Sequence, residues 1–235
     1  MNVSSQQATR YRRVVVLDIE TVSADLNVPR GALDGLSCRI VCVGLLIDDG
    51  EQLTEVAFAD EDETKILTEF WASIRAEDLL VGHNVAEFDL VILKQRSWIH
   101  GIRPSRSVDL RRYYTLDIAD TMTLWSHWSF KKTVSLDALA TALGCGQKIG
   151  HGVDVADWWA VRDLRSIREY CLQDCRVAYQ VFCKLTYQEP RERESQPTLE
   201  TGTQRASNPC RALHRPALTS SYDADRPSPV KLFRV

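Results

Sequence analysis

The chain has 235 residues, of which 44% are hydrophobic and 26% charged, and carries a net charge of −3. That suits one ordinary α/β domain with some length left over, and it is enough to fill a sizeable core. The mildly acidic balance argues against a large non-specific nucleic-acid-binding surface, which would need a bulk excess of Lys and Arg.

The opening MNVSSQQATRYRR has no apolar core of the kind a secretory signal needs. No apolar run approaches the eighteen or so residues of a membrane span, so the expected location is the cytoplasm. Residues 12–19 are rich in Val and predict a first strand. RIVCVGLLI, residues 39–47, predicts a second, with Gly44 as a bulge or a close contact. LTEVAFA, residues 53–59, alternates and predicts a third, and Asp49-Gly50 between them is a hairpin signal. The first three strands therefore read as an antiparallel meander.

The period then changes from two to that of a helix. Ile66, Leu67, Phe70, Trp71 and Ile74 fall at helical spacing. DLLVGHN, residues 78–84, predicts a short buried strand, and residues 87–99 a helix with Phe88, Val91, Ile92, Gln95 and Ile99 along or near one face. YTLDIADTM contains a fifth strand or its end. VSLDALATALG predicts a short helix with Ser135 as its N-cap and Gly144 as its stop. Residues 164–188 predict a long helix with Ile167, Tyr170, Cys171, Asp174, Val177, Ala178 and Val181 in near-helical register. From residue 188 the composition shifts to a slightly basic, proline-bearing stretch with few adjacent large apolar residues. It reads as a disordered tail over 188–235, following a domain at 12–187. Hairpin connections followed by alternating helices and strands predict a mixed sheet with helices on its faces.

Seven cysteines, Cys38, Cys42, Cys145, Cys171, Cys175, Cys183 and Cys210, are odd in number and form no CxxC pair. They read mostly as buried thiols in a reducing compartment, and a zinc site is disfavoured.

The informative residues are acids in apolar surroundings. In VVVLDIETVS, residues two apart on a strand share a face, so Asp18 and Glu20 project together and Ile19 projects the other way. Two carboxylates forced together repel, unless one is protonated or a hard divalent cation lies between them. Solvated acids at an exposed strand end are the competing explanation. Asp89 follows Phe88 in VGHNVAEFDLVIL, where an Asp at a helix N-terminus is also ordinary. Asn84 can be a turn residue. In YCLQDCRVAY, Tyr170 and Asp174 are four apart and share a helical face, and Asp174 interrupts an apolar stripe. A buried Asp needs a partner, and Arg176 is on another face.

Asp-x-Glu on a first strand, Asn-x4-Asp at a second element and Tyr-x3-Asp on a late helix, in that order, resemble the DEDD superfamily of 3′–5′ exonucleases. LDIET, VGHNVAEFDLVIL and YCLQDCRVAY look like stand-alone relatives of the proofreading domain of family B DNA polymerases. The tyrosine places the resemblance in the DEDDy branch. The other branch has His five residues before the last Asp, where this chain has Glu169. The resemblance covers about residues 12–187. It implies a ribonuclease H-like fold, with Asp18, Glu20, Asp89 and Asp174 binding two Mg²⁺ or Mn²⁺ ions. It implies that Tyr170 orients the attacking water, and that Thr21, Asn84 and Phe88 contact substrate, Asn84 either doing so or supporting the site. Tyr, with a pKa near 10, is a poor general base at neutral pH, which suits a positioning task.

His83 and His151 read as turn and loop residues, and Asp117 and Asp120 as strand-end or N-cap acids. Trp125, Trp128, Trp158 and Trp159 are candidate base or sugar contacts, although aromatic residues are more often core. Arg111, Arg112, Lys131 and Lys132 read as solvated surface. The expected partner is a single-stranded nucleic acid 3′ end, DNA favoured, and no membrane. The tail is a candidate docking segment for a protein of unidentified kind. A ribonuclease of the same mechanism and a silent nucleic-acid-binding module on the same fold are the alternatives.

Overall fold

The computed structural model describes residues 13–191, apart from 26–27, 29, 115, 130 and 146–153. The expected disordered tail lies, from residue 192 on, outside the described residues, as do Cys210 and His151. Five strands form one sheet: β1 (Val14–Ser23), β2 (Cys38–Asp48), β3 (Leu53–Ala59), β4 (Leu79–Gly82) and β5 (Ile118–Asp120). Their order is β3-β2-β1-β4-β5. β2 is antiparallel to both β1 and β3, while β4 is parallel to β1 and β5. This is the expected α/β mixed sheet with helices on its faces and antiparallel first three strands.

The central position of β1 follows from its residues. Val15, Val16 and Leu17 are all buried, so both faces of this β-branched run are covered. On one face, Val15, Leu17, Ile19, Val43 and Leu45 pack with helices α1 (Glu63–Ser73) and α2 (Asp89–Ile99). On the other, Val16, Leu46, Leu79 and Val81 pack with α4 (Leu136–Leu143) and the long α6 (Leu164–Leu185). Further along that second face, Val22, Val41 and Cys42 pack with α5 (Asp154–Ala160) and the start of α6. A short α3 (Thr121–Ser126) follows β5 directly.

Local chemistry sets the boundaries. Asp62, Ser135 and Asp163 cap α1, α4 and α6 by accepting from Thr64, Ala138 and Ser166 amides. Gly144 ends α4 in the left-handed conformation, φ 69°, as its position predicts. Gly50 turns the β2–β3 hairpin at φ 92°. Among the described residues, no helix is long and apolar enough to cross a membrane.

Several expectations need correction. β1 extends past residue 19 to Ser23, carrying Glu20 inside the strand. β5 is only Ile118–Asp120, because Asp120 caps α3 and ends it. α5 went unread because it is a single short amphipathic turn pair. The buried face of α2 is Leu90, Ile92, Leu93, Arg96 and Ser97, whereas Ile99 is half exposed at 50%. The residues expected along or near one face, Phe88, Val91, Ile92, Gln95 and Ile99, do not include Arg96. In the fold Arg96 is buried against Glu63, with Nη2 2.6 Å from Oε2 and Nε 2.9 Å from Oε1. Residues 188–191, assigned by composition to the tail, pack back on the domain. The Gln188 amide donates to Cys183 O, and Arg191 Nε donates to Asp48 at 2.9 Å.

Candidate active site

β1 outruns β4. The two pair only from Val14 to Val16, so the second half of β1 has no strand on that side. Chain connections leave the C-terminal ends of β1 and β4 in opposite directions across the sheet, toward β2 and β5. Crevices at such switch points are where open α/β sheets bind ligands. The acids singled out in the sequence converge there.

Asp18 pairs with Gly44 and Glu20 with Cys42 across β1–β2. Both side chains face α6, and they sit between the two apolar clusters on that face. The register slips after Glu20, leaving Val41 as an extra residue opposite the Glu20–Thr21 step. Bulges increase local twist and re-aim side chains near active sites. Gly44, read as a bulge or a close contact, is the close contact. A Cβ there would lie 2.9 Å from Cys171 Sγ and 3.2 Å from Cys175 Sγ. Its lack of a side chain lets α6 approach the sheet beside Asp18. Cys171 Sγ lies 3.3 Å from Asp18 O, and ligand atoms of Asp18, Glu20 and Cys171 all fall within 4.8 Å of one another.

Asp89 is the first residue of α2 and is 4% exposed. Its Oδ1 accepts a hydrogen bond from the Ile19 amide at 3.1 Å, on the backbone between Asp18 and Glu20. It is delivered there by a tight turn. Asn84 adopts φ 63°, a left-handed conformation Asn tolerates, and its carbonyl accepts from Phe88 N at 3.0 Å. Asp120 holds this turn from below. Its carboxylate accepts from Asn84 N at 3.0 Å and Ala86 N at 3.1 Å, and from Met122 N at 2.9 Å. The reading of Asp120 as an N-cap is right, but its second grip, on the turn before Asp89, has no local sequence signal. His83 is engaged as a turn residue, within 2.9 Å of Thr121 Oγ1 and 2.8 Å of Val134 O.

Tyr170 and Asp174 lie on the buried face of α6, each 5% exposed. Trp158 of α5 packs edge-on against Tyr170, ring centroids 5.8 Å apart. Arg176 is indeed elsewhere, bidentate to Glu55 on β3 at 2.7 and 2.8 Å. Burial pushes the Cys175 thiol well above its usual range, and the negative charges of Asp18, Asp174 and Asp89 add to the push. These three carboxylates, from three elements, therefore act on one buried point. Of the expected substrate contacts, Thr21 donates its hydroxyl to Ala32 O at 2.6 Å, and Phe88 is half-buried against the α1/α2 core. Sequence reasoning missed Cys171 and Gly44 as site neighbours; only the Gly inside a strand hinted at the second.

Asp18 and Glu20 bring two carboxylates from β1 within 4.8 Å of each other, and Asp89 on α2 and Asp174 on α6 are the other two acids singled out in the sequence. Hard oxygen donors of this kind fit a small hard dication, and like charges this close need a counter-charge. The Cys171 and Cys175 thiols nearby are soft donors, and among the described residues no His joins the cluster to complete a zinc set.

A model of predicted 3′–5′ exonucleases related to the exonuclease domain of PolB matches residues 33–206. The chain belongs to this family. The match takes in Asp89, Tyr170 and Asp174 and begins after β1, so it does not include Asp18 and Glu20. Among curated proteins none matches the sequence. A solved structure titled Exonuclease I (apo) is similar at 13% identity and a TM-score of 0.38, covering 70% of this chain and 44% of that one. The chain thus spans less than half the length of that protein.

Proposed function

We propose that this PolB-related family member is a 3′–5′ exonuclease that removes nucleoside monophosphates from single-stranded nucleic acid, with DNA favoured. The observation that carries the reading is the meeting of Asp18, Glu20 and Asp89 around the Ile19 amide, beneath the α6 face bearing Tyr170 and Asp174.

In this reading Asp18, Glu20, Asp89 and Asp174 hold two Mg²⁺ or Mn²⁺ ions. When bound, such ions supply positive charge at the scissile phosphate and make water more acidic. The remaining work belongs to the chain. Tyr170, fixed by Trp158 against its ring, orients the attacking water toward phosphorus. The water oxygen forms the new P–O bond, the 3′-oxygen of the preceding nucleotide leaves, and a nucleoside 5′-monophosphate is released. Gly44 keeps α6 close enough for its two residues to face β1. Asn84, and with it Thr21 and Phe88, borders the terminal nucleotide. The catalytic domain is the sheet with its helices, the residues beyond 191 are a candidate docking segment, and the setting is cytoplasmic.

The test is digestion of matched 5′-labelled single-stranded DNA and RNA with Mn²⁺, Mg²⁺ or EDTA, using wild type and Asp18→Ala. A metal-dependent ladder shortening from the 3′ end and lost in the variant is expected. A stronger RNA ladder would reassign the substrate, since the 2′-hydroxyl is what distinguishes the two. No ladder from folded protein on either strand would sink the reading.

A further inference from the structure

A second cluster lies beside the turn that delivers Asp89. The Tyr113 and Trp128 rings sit 5.1 Å apart, tilted by 60°. The Arg112 guanidinium lies 4.9 Å from the Tyr113 ring centre and donates to Trp128 O at 3.0 Å. The two segments, before β5 and after α3, are thus tied to each other through one cation and two rings. Burial does not explain the arrangement, because Tyr113 is 62% exposed.

The backbone there is held in an uncommon conformation. Tyr113, His127 and Trp128 have φ of 67°, 48° and 62°. Bulky residues adopt the left-handed region at a cost, and such positions gather at ligand clamps. Trp128 also lines a small cleft together with Ala86 and Glu87. Those two residues precede Asp89 in the same turn, so the cleft opens next to the carboxylate crevice. Of the acids on the cleft, Asp120 is held by the Asn84, Ala86 and Met122 amides, Asp109 is bound by Arg111 through Nε at 2.8 Å, and Glu87 is exposed.

We propose that Arg112, Tyr113 and Trp128 form a stacking platform for the single-stranded nucleic acid strand leading into the active site, on the 5′ side of the nucleotide being removed. Every base has a π-face, so aromatic stacking binds a strand without reading its sequence. A guanidinium held on an aromatic ring can meet the backbone phosphate between two stacked bases. The direction of the strand rests on the exonuclease reading; the platform's affinity for single strands does not.

The test uses the full chain in EDTA, so that no hydrolysis intervenes, and a fluorescent single-stranded thymidine oligonucleotide of about 20 nucleotides. Tyr113→Ala and Trp128→Ala should each raise Kd about tenfold, and Tyr113→Phe, which keeps the ring, should stay near wild type. In parallel, wild type is photo-cross-linked to the same oligonucleotide carrying iodouracil, which needs no variant to fold. Cross-links to peptides holding Tyr113 or Trp128 support the platform. Cross-links confined to other peptides, ring variants that bind like wild type, or no binding by wild type would overturn it. The ladder assay, run on the same proteins with Mn²⁺, separates the two ideas. Cutting with unchanged binding in the ring variants removes only the platform, whereas binding and cross-linking at the rings without any cutting removes only the exonuclease reading.

Discussion

Asp89 reaches from the first turn of α2 to the Ile19 amide of β1, 3.1 Å away, and so places its carboxylate on the backbone between Asp18 and Glu20. One oxygen of the side chain thus fixes geometry, while in the proposed mechanism its charge serves metal binding. The two roles can be separated. Asp89→Asn keeps an oxygen for the Ile19 amide and should melt within a few degrees of wild type, yet lose nearly all turnover. Asp89→Ala leaves a buried amide unsatisfied and should cost about 1–3 kcal/mol of stability besides. Urea melts alongside the ladder assay would check this, and an active Asp89→Asn protein would remove Asp89 from the metal set.

Metal binding should be visible without catalysis. At a Mn²⁺ concentration about a hundredfold above Kd, linkage adds roughly 2.7 kcal/mol, or about 5–10 °C in Tm for a domain of this size. EDTA should reverse the shift, and Asp174→Ala should abolish most of it. Tyr170→Phe should keep the shift while lowering kcat, because its hydroxyl is assigned to water and not to metal. Equal Mn²⁺ shifts in wild type and Asp174→Ala would contradict the assignment.

Gly44→Ala tests the closeness of α6. The added methyl would meet Cys171 Sγ at 2.9 Å and the Cys171 carbonyl carbon at 3.3 Å, so helix and strand must part. Overpacking of this kind costs about 1–3 kcal/mol. Activity should fall further than stability does, since the residues displaced are Tyr170 and Asp174. Adding Cys171→Ala should recover part of both, read by thermal melts and single-turnover rates.

Glu63 makes a pH prediction. Burial alone would push its carboxyl up, but bonds from Arg96, the Ile40 amide and His100 outweigh that and hold it below the ordinary value of 4.5. A carboxyl with a lowered folded pKa contributes stability that is present above its unfolded pKa and is lost as pH falls through the folded one. Stability should therefore decline as pH drops below about 4.5. Glu63→Gln should start less stable at pH 7 and show a shallower acid slope in urea melts. Parallel slopes would mean that other carboxyls carry the acid loss.

Asp120→Ala should act at a distance. It removes the acceptor for the Asn84, Ala86 and Met122 amides, loosening the turn before Asp89 and uncapping α3. A loss of about 2–4 kcal/mol is expected from the unsatisfied amides and the missing cap. The Mn²⁺-induced rise in Tm should shrink as well, which would not follow from a loss of stability alone.

Period was the part of this protein that the sequence determined by itself. Alternation along VVVLDIETVS put Asp18 and Glu20 on one face, and four-residue spacing put Tyr170 above Asp174, because both follow from backbone geometry within one element. Caps at Ser135 and Gly144 were legible for the same local reason. The tertiary structure alone decided what meets across elements. The bulge at Val41, the reach of Asp89 to Ile19, the grip of Asp120 on the Asn84 turn and the buried Glu63–Arg96 pair join residues 20 or more positions apart in the chain. Such polar pairings leave no periodic trace, because a charged side chain is buried only once its partner is in place. That is why the face expected of α2 left out Arg96, although the acid at its first turn was found.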